Sequence, residues 1–237
     1  MAEQVKDIDR RLYDFVKPEE GYERYADGLT PEIVESISRK KDEPDWMLEL
    51  RLKSLETYQR MEMPANWGPA IDGLDMDHIS TYVSPKTKQA SNWEDVPEEI
   101  KDTFERLGIP KAERSYLAGV GAQYDSELVY HNMQDTAAQM GVVYSGIEEA
   151  LHGEYADLIR EKFMRLVPPH DHKFAALHGA VWSGGSFVYV EFPLQSYFRL
   201  NAAGAGQFEH TLIIVEPGAN LHFIEGCSAP KYNVANL

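Results

Sequence analysis

A single cysteine, Cys227, stands in 237 residues. No disulfide can therefore form within the chain. Basic residues are also scarce: 23 Lys and Arg against 39 Asp and Glu give a formal net charge of −16. A field of that sign repels phosphate backbones and anionic lipid, which disfavours binding to nucleic acid or a membrane surface. It names no partner, because acid-rich helices that simply stay dissolved have the same composition. Long apolar runs are missing too. The longest aliphatic stretch, Leu212-Ile213-Ile214-Val215, is far below the roughly 18 residues that span a bilayer. The opening Met1-Ala2-Glu3-Gln4-Val5-Lys6-Asp7 has neither the basic nor the apolar region of a secretory signal. With no export signal and no cysteine pair, a reducing cytosol is the expected compartment.

Nucleotide-loop signals are lacking as well. Gly119-Val120-Gly121 and Gly204-Ala205-Gly206 have no strand–turn–helix setting and no trailing Lys-Ser/Thr, so both read as turns and no ATP site is expected. Ser183-Gly184-Gly185-Ser186 is likewise a turn and not a nucleophile elbow.

What is present falls into two chemically distinct parts. Residues 170–237 carry five acids and three bases, and residues 1–169 the other 34 acids and 20 bases. The junction Val167-Pro168-Pro169 stops whatever precedes it, giving a mainly helical region over 1–168 and a second region over 169–237. In the first, Thr30-Pro31 caps and starts a helix that carries Ile33, Val34 and Ile37. Asp45 caps a second, in which Leu48, Leu52 and Leu55 recur before Pro64. A third runs from about Pro97 to Leu107, with Ile100, Phe104 and Leu107 on one face and Gly108 as its stop. Residues 145–166 read as a fourth helical stretch, broken near Gly153, with Leu158, Ile159, Phe163 and Leu166 inward. Leu128–His131 and Gly141–Tyr144 are candidate short strands, and 64–93 an irregular loop region. Trp46, Trp67, Trp93 and Trp182 read as packing residues.

In the second region helical periodicity is absent. Phe187–Val190, Thr211–Val215 and Leu221–Ile224 are β-formers, separated by Gly184-Gly185, Gly204-Ala205-Gly206 and Pro217-Gly218. Short strands with glycine turns fit a sandwich, a barrel or the coils of a β-helix, and the pattern does not choose among them. Tyr232–Leu237 reads as the entry to a further strand with no cap behind it. An unprotected edge follows, and the chain reads as unfinished.

Two constellations carry chemistry. Cys227 lies between Gly226 and the Ser228-Ala229-Pro230 turn. A thiolate is the strongest side-chain nucleophile, and the glycine leaves room for an approaching group; the plainer reading is a small buried hydrophobe. His170, Asp171 and His172, with His178 six residues on, superficially resemble a metal site of the cupin kind, with Glu216, His210 or His222 as further ligands. Solvated, capping or core histidines explain the same residues, and no metal is assigned.

The segments Pro64–Gly68, Glu127–Asn132, Gly141–Tyr144, Phe198-Arg199-Leu200-Asn201, Glu209–Ile213 and Ile224–Pro230 resemble the SufB family, the scaffold subunit of the SUF iron–sulfur cluster assembly system. The resemblance extends through essentially the whole chain. It implies an α+β fold: a helical N-terminal region followed by the first coils of a right-handed parallel β-helix. It implies that Cys227 receives sulfur as a persulfide from the cysteine desulfurase system, and that the sulfur passes through the β-helix interior, with Arg199 and Asn201 on its path. A cationic, hydrogen-bonding lining would suit an anionic sulfur in transit. Without the resemblance, Arg199 is a surface strand arginine and Asn201 a turn residue.

Family members are roughly twice this length. The missing part carries the second cysteine, the carboxylate expected at the nascent cluster, the contact with the SufC ATPase and most of the SufD pairing surface. Some members also have an N-terminal cysteine cluster, absent here. The resemblance thus implies a scaffold component and not an enzyme, with ATP hydrolysis supplied by SufC. The transient iron–sulfur cluster belongs to the full-length protein, and this chain alone is not expected to be a competent scaffold. The rival readings are a truncated structural remnant that pairs with a completing chain and, more remotely, a cupin-like metalloprotein.

Overall fold

A computed structural model of the chain describes residues 14–64, 71, 73–107, 119–133, 142–189, 194–232 and 237. Ala65–Gly68 with Trp67, Gly108, Gly141, Val190 and residues 233–236, each used above, lie outside the described residues.

The first helix, α1 (Pro31–Lys40), begins as its sequence dictates. The Thr30 hydroxyl accepts from the Ile33 N–H at 3.4 Å, Pro31 occupies the first turn, and Arg39 and Lys40 close the last. Helix α2 (Asp45–Arg60) follows, with Pro44 rather than Asp45 at the cap position. Its buried face is Met47, Arg51, Ser54 and Leu55. Leu48 and Leu52, expected inward, are only half-buried, because the face turned inward is shifted by one residue toward Arg51. Helix α3 (Glu98–Arg106) buries Ile100, Thr103 and Phe104, and Phe104 meets Trp93 edge-on with centroids 6.3 Å apart.

The anticipated fourth helical stretch divides. Strand residues run through Gly146, then come α4 (Ile147–Ala150) and α5 (Ala156–Lys162), with the interruption around Gly153 as expected. Leu166 is 97% exposed, not inward. Phe163 leaves helical geometry with ψ 126°, which ends the periodicity that would have carried Leu166 to the core. The second region also contains a helix the periodicity did not reveal, α6 (Lys173–Val181). Six of its nine residues are buried, including Ala175, Ala176, Leu177 and Ala180. A helix covered nearly all round shows no polar face and so no amphipathic signal.

The strands are β1 (Glu23–Arg24), β2 (Val83–Ser84), β3 (Gly119–Tyr124), β4 (Glu127–Met133), β5 (Val143–Gly146), β6 (Ser186–Tyr189), β7 (Leu194–Arg199), β8 (Leu212–Ile214) and β9 (Phe223–Ser228). Gly119-Val120-Gly121, expected as a turn, is the start of β3. A Cβ on Gly121 would stand 2.6 Å from the Tyr144 hydroxyl, so the glycine admits a close approach between sheets. A four-stranded sheet has the order β4-β3-β7-β9, and a three-stranded one the order β5-β6-β8. The β3–β4 hairpin and the β5–β6 pair are antiparallel, whereas β3–β7, β7–β9 and β6–β8 are parallel. From β6 onward the chain alternates between the two sheets, adding a parallel strand to each in turn. Both sheets cross the compositional boundary at Pro168-Pro169, since β3 pairs with β7 and β5 with β6.

The turn into β6 requires its glycines. Gly184 and Gly185 have φ of +75° and +108°, and a Cβ on Gly185 would lie 2.3 Å from the His210 carbonyl oxygen. Met47 of α2, Ile147 and Ala150 of α4, Ile159 of α5, and Phe163 and Trp182 at the ends of α5 and α6 pack with Phe187 of the smaller sheet, with Trp46 half-buried beside them. Trp93 packs with Val120, Ala122 and Tyr130 on the larger sheet. The architecture is mixed α and β.

Candidate functional site

Cys227 lies on β9, the edge strand of the larger sheet. β9 is opposite Phe198 at Cys227 and opposite Arg199 at Ser228. The thiol is free and exposed. Alternation along the strand puts Phe223, Glu225 and Cys227 on one face and Ile224, Gly226 and Ser228 on the other. Arg199 belongs to Ser228's face, where its Nη1 donates to the Ser228 hydroxyl at 3.2 Å. The sheet therefore brings Arg199 and Cys227 to adjacent register positions but on opposite faces.

The setting of the thiol disfavours its anion. Burial of one side pushes the Cys227 thiol up, the Glu225 and Glu209 carboxylates push it further, and the Arg199 guanidinium opposes them. Glu209 is itself raised to about 7 by burial, although its carboxylate accepts from the Thr211 hydroxyl at 2.8 Å. Burial also raises Glu225. A cavity of about 690 Å³ opens on this side, lined by Glu209, Glu225, Phe223, Ile213 and the imidazoles of His178 and His210.

Arg199 and Asn201 are fully buried, which excludes the surface-arginine reading. The Arg199 Nη2 donates to the Phe15 carbonyl at 2.7 Å, and its guanidinium stands 4.7 Å from the centroid of the Phe15 ring. Burial lowers its pKa from the ordinary guanidinium value. The Asn201 carboxamide clasps the Lys17 backbone, accepting from its N–H at 3.1 Å and donating to its carbonyl at 3.2 Å. The Asn201 N–H donates to the Asp125 carboxylate at 2.6 Å, and the Tyr232 hydroxyl donates to the Asn201 carbonyl.

Asp125 was not singled out from the sequence. It sits in the two-residue turn between β3 and β4 with φ +52°, buried, and its Oδ1 accepts from the N–H groups of both Asn201 and Ala202. Burial raises its carboxyl to about 7 against those two donors. The available signal was a short Asp-Ser step between two strand-like runs, where Asp tolerates a left-handed conformation.

The histidines divide among structural tasks. His172 caps α6, its Nδ1 accepting from the Ala175 N–H at 3.2 Å. His178 Nε2 and His210 Nδ1 are 2.8 Å apart and bond to each other, and the His210 ring stacks on Phe163 with centroids 4.0 Å apart. Burial lowers both pKa values, to about 4 for His178 and about 3 for His210. His170 and His222 are exposed. Among the described residues no group of three or more His, Cys, Asp or Glu side chains is arranged to hold a metal ion. No helix among them is long and apolar enough to cross a membrane.

No family model matches the chain. Individual curated proteins do. Over its whole length the chain is 50% identical to the iron–sulfur cluster assembly protein SufB of Bacillus subtilis, covering 52% of that protein. It is 48% identical to an iron–sulfur cluster assembly SufBD family protein of Staphylococcus epidermidis and 47% identical to one of Staphylococcus aureus, again over all of the chain and 52% of each relative. The chain thus spans about half the length of the curated relatives it matches and corresponds to their N-terminal half.

Proposed function

We propose that the chain serves iron–sulfur cluster assembly as the sulfur-accepting half of a SufB-type scaffold, with Cys227 as the acceptor. The observation that carries this reading is a single, exposed thiol on an edge strand, in a sequence whose relatives are named for this task. In the transfer, the Cys227 thiol loses its proton and its sulfur bonds to the outer sulfur of a donor persulfide. The S–S bond of the donor breaks, and its inner sulfur departs as a thiolate that takes up a proton. Sulfur changes hands with no net oxidation or reduction. Because Glu225 and Glu209 disfavour the thiolate at rest, a donor that presents positive charge beside them raises the thiolate fraction as it docks.

The alternation of β6, β7, β8 and β9 between two parallel ladders supports the first rungs of a parallel β-helix, which further coils would extend. The nascent cluster is cargo assembled on the longer protein. SufC and SufD are the expected partners in the cytosol, with SufC as the source of ATP hydrolysis. A chimera joining this chain to the remaining half of Bacillus subtilis SufB tests the reading in cells lacking their own SufB. The chimera restores iron–sulfur enzyme activity and its Cys227→Ser form does not. A folded, expressed chimera with no activity, or an active Cys227→Ser form, overturns it.

A further inference from the structure

The chain leaves α5 through a strained corner. Phe163 ends the helix with ψ 126°, and Met164 follows with φ +50°, a left-handed conformation that a non-glycine residue adopts only at a cost. The reversal buries Met164 and turns Leu166 outward, 97% exposed, with Val167 half-exposed beside it. Pro168-Pro169 then stiffen the backbone that follows. An aliphatic pair is thus held in water between a strained residue and a rigid one.

The corner stands between two cavities of about 690 Å³ each. One runs along α2 and is lined by Trp46, Lys53, Arg160 and Arg165. The other has Arg165, Leu166 and Val167 in its wall together with Phe223 and Glu225 of β9, on the face of that strand that also bears Cys227. It therefore joins the exposed corner to the acceptor's face. The local charge is opposite to that of the chain, which carries −16. Lys53 and Lys162 have Glu49 and Glu161 beside them. Arg160 instead lies 5.9 Å over the Trp46 ring and Arg165 donates to the Glu161 carbonyl at 2.9 Å, so neither is in an ion pair among the described residues.

We propose that the corner at Leu166 and Val167 is the docking surface for the protein that donates sulfur to Cys227, and that the donor meets it with an apolar socket rimmed by carboxylates. The proposal rests on the reading of Cys227 as the acceptor. A rigid, exposed leucine is an anchor whose burial costs little ordering. The two guanidinium groups select carboxylates around the socket and repel a cationic rim. The shared cavity leads from the anchor to β9, so a donor seated on the corner has its persulfide directed toward Cys227. A cation beside that persulfide then meets Glu225, the pairing that favours the Cys227 thiolate.

The test is binding of the persulfide-loaded sulfur donor of the Bacillus subtilis cysteine desulfurase system to the Cys227→Ser chain, which cannot take the sulfur. It is run below the concentrations at which the chain self-associates. Leu166→Ser removes an exposed side chain and should weaken binding about tenfold. Arg165→Glu should weaken it by about as much at low salt and by less at high salt. Val215→Ser, at an exposed position outside both cavities, should change nothing. Sulfur uptake from glutathione persulfide, a donor that needs no docking surface, is measured beside it on chains that keep Cys227, and Leu166→Ser should leave it unaltered. No uptake from that small donor counts against Cys227 as acceptor and not against the corner. Donor binding that is absent, or that Leu166→Ser and Arg165→Glu leave unchanged, overturns the docking surface. Equal slowing of uptake from glutathione persulfide does so too, because the effect then lies at the thiol. A Leu166→Ser chain that loses only self-association in sedimentation makes the corner a contact between copies and likewise overturns it.

Discussion

Replacing Arg51 by Met should cost most of the stability of this chain. Arg51 and Glu43 are both fully buried as an ion pair, with the Arg51 Nε donating to the carboxylate at 2.7 Å. The same guanidinium donates to the Ala180 carbonyl at 3.0 Å and the Trp182 carbonyl at 2.8 Å, and lies 4.7 Å over the Trp182 ring. It thereby fixes α2 to the corner where α6 turns into β6. Met keeps the packing of the stem but leaves a buried carboxylate alone, a loss of about 3–5 kcal/mol. Two carbonyls lose a donor at about 1 kcal/mol each. The sum, roughly 5–7 kcal/mol, is comparable to the whole stability of a typical domain. Urea unfolding followed by tryptophan fluorescence reads this directly, because Trp182 stands against the substituted group. Adding Glu43→Met to Arg51→Met should recover most of the loss, since a packed apolar pair replaces a buried ion pair at little cost. A single variant that loses less than about 1 kcal/mol, or a double variant as damaged as the single, would refute the reasoning.

Stability should depend on pH in two opposing ways. Asp125 and Glu209, raised to about 7 in the fold, keep protons that the unfolded chain has released, so their contribution is present in acid and lost as pH rises toward neutrality. His131, His178 and His210, lowered to about 4, about 4 and about 3, resist protons that the unfolded chain binds below about pH 6.5, so their contribution is lost as pH falls. Asp125→Asn removes one carboxylate term. Its stability relative to wild type should therefore rise between about pH 5 and pH 7 by up to about 1.4 kcal/mol per pH unit, and a pH-independent difference would contradict this. Among the described residues β8 and β9 each have a strand neighbour on one side only, and these edges, with Ile213, Val215 and Ile224 between 37% and 45% exposed, should drive self-association of the isolated chain. Sedimentation should show this for wild type and not for an Ile213→Lys, Ile224→Lys double variant; a wild-type monomer at every concentration argues against it.

The start of α1 was legible because Thr30 and Pro31 act locally, and β6 and β8 because their residues are β-formers between turn signals. α6 was not, because its burial on nearly all sides erases the amphipathic period. Arg51 was hidden for a related reason. A charged residue on an otherwise leucine-rich helix reads as solvent-facing until Glu43 and two carbonyls are seen around it. Cys227 stood out by being alone, whereas Arg199 and Asn201 came to notice only through family resemblance. What those two hold was beyond reach of the sequence: Phe15 and Lys17 lie 184 residues away from them, and no periodicity spans such a distance. The parallel pairing of β7 with both β3 and β9 is equally non-local, so alternation suggested strands without giving their order.

The central claim is that Cys227 accepts sulfur. Its most direct test is anaerobic incubation of the chain with a protein persulfide freshly loaded by a cysteine desulfurase, followed by intact-mass measurement. With one thiol in the sequence, the account predicts a gain of one sulfur atom that dithiothreitol removes and that Cys227→Ser never acquires. A wild-type chain that gains no sulfur while the donor stays loaded, or a Cys227→Ser chain that gains it equally, would contradict the account.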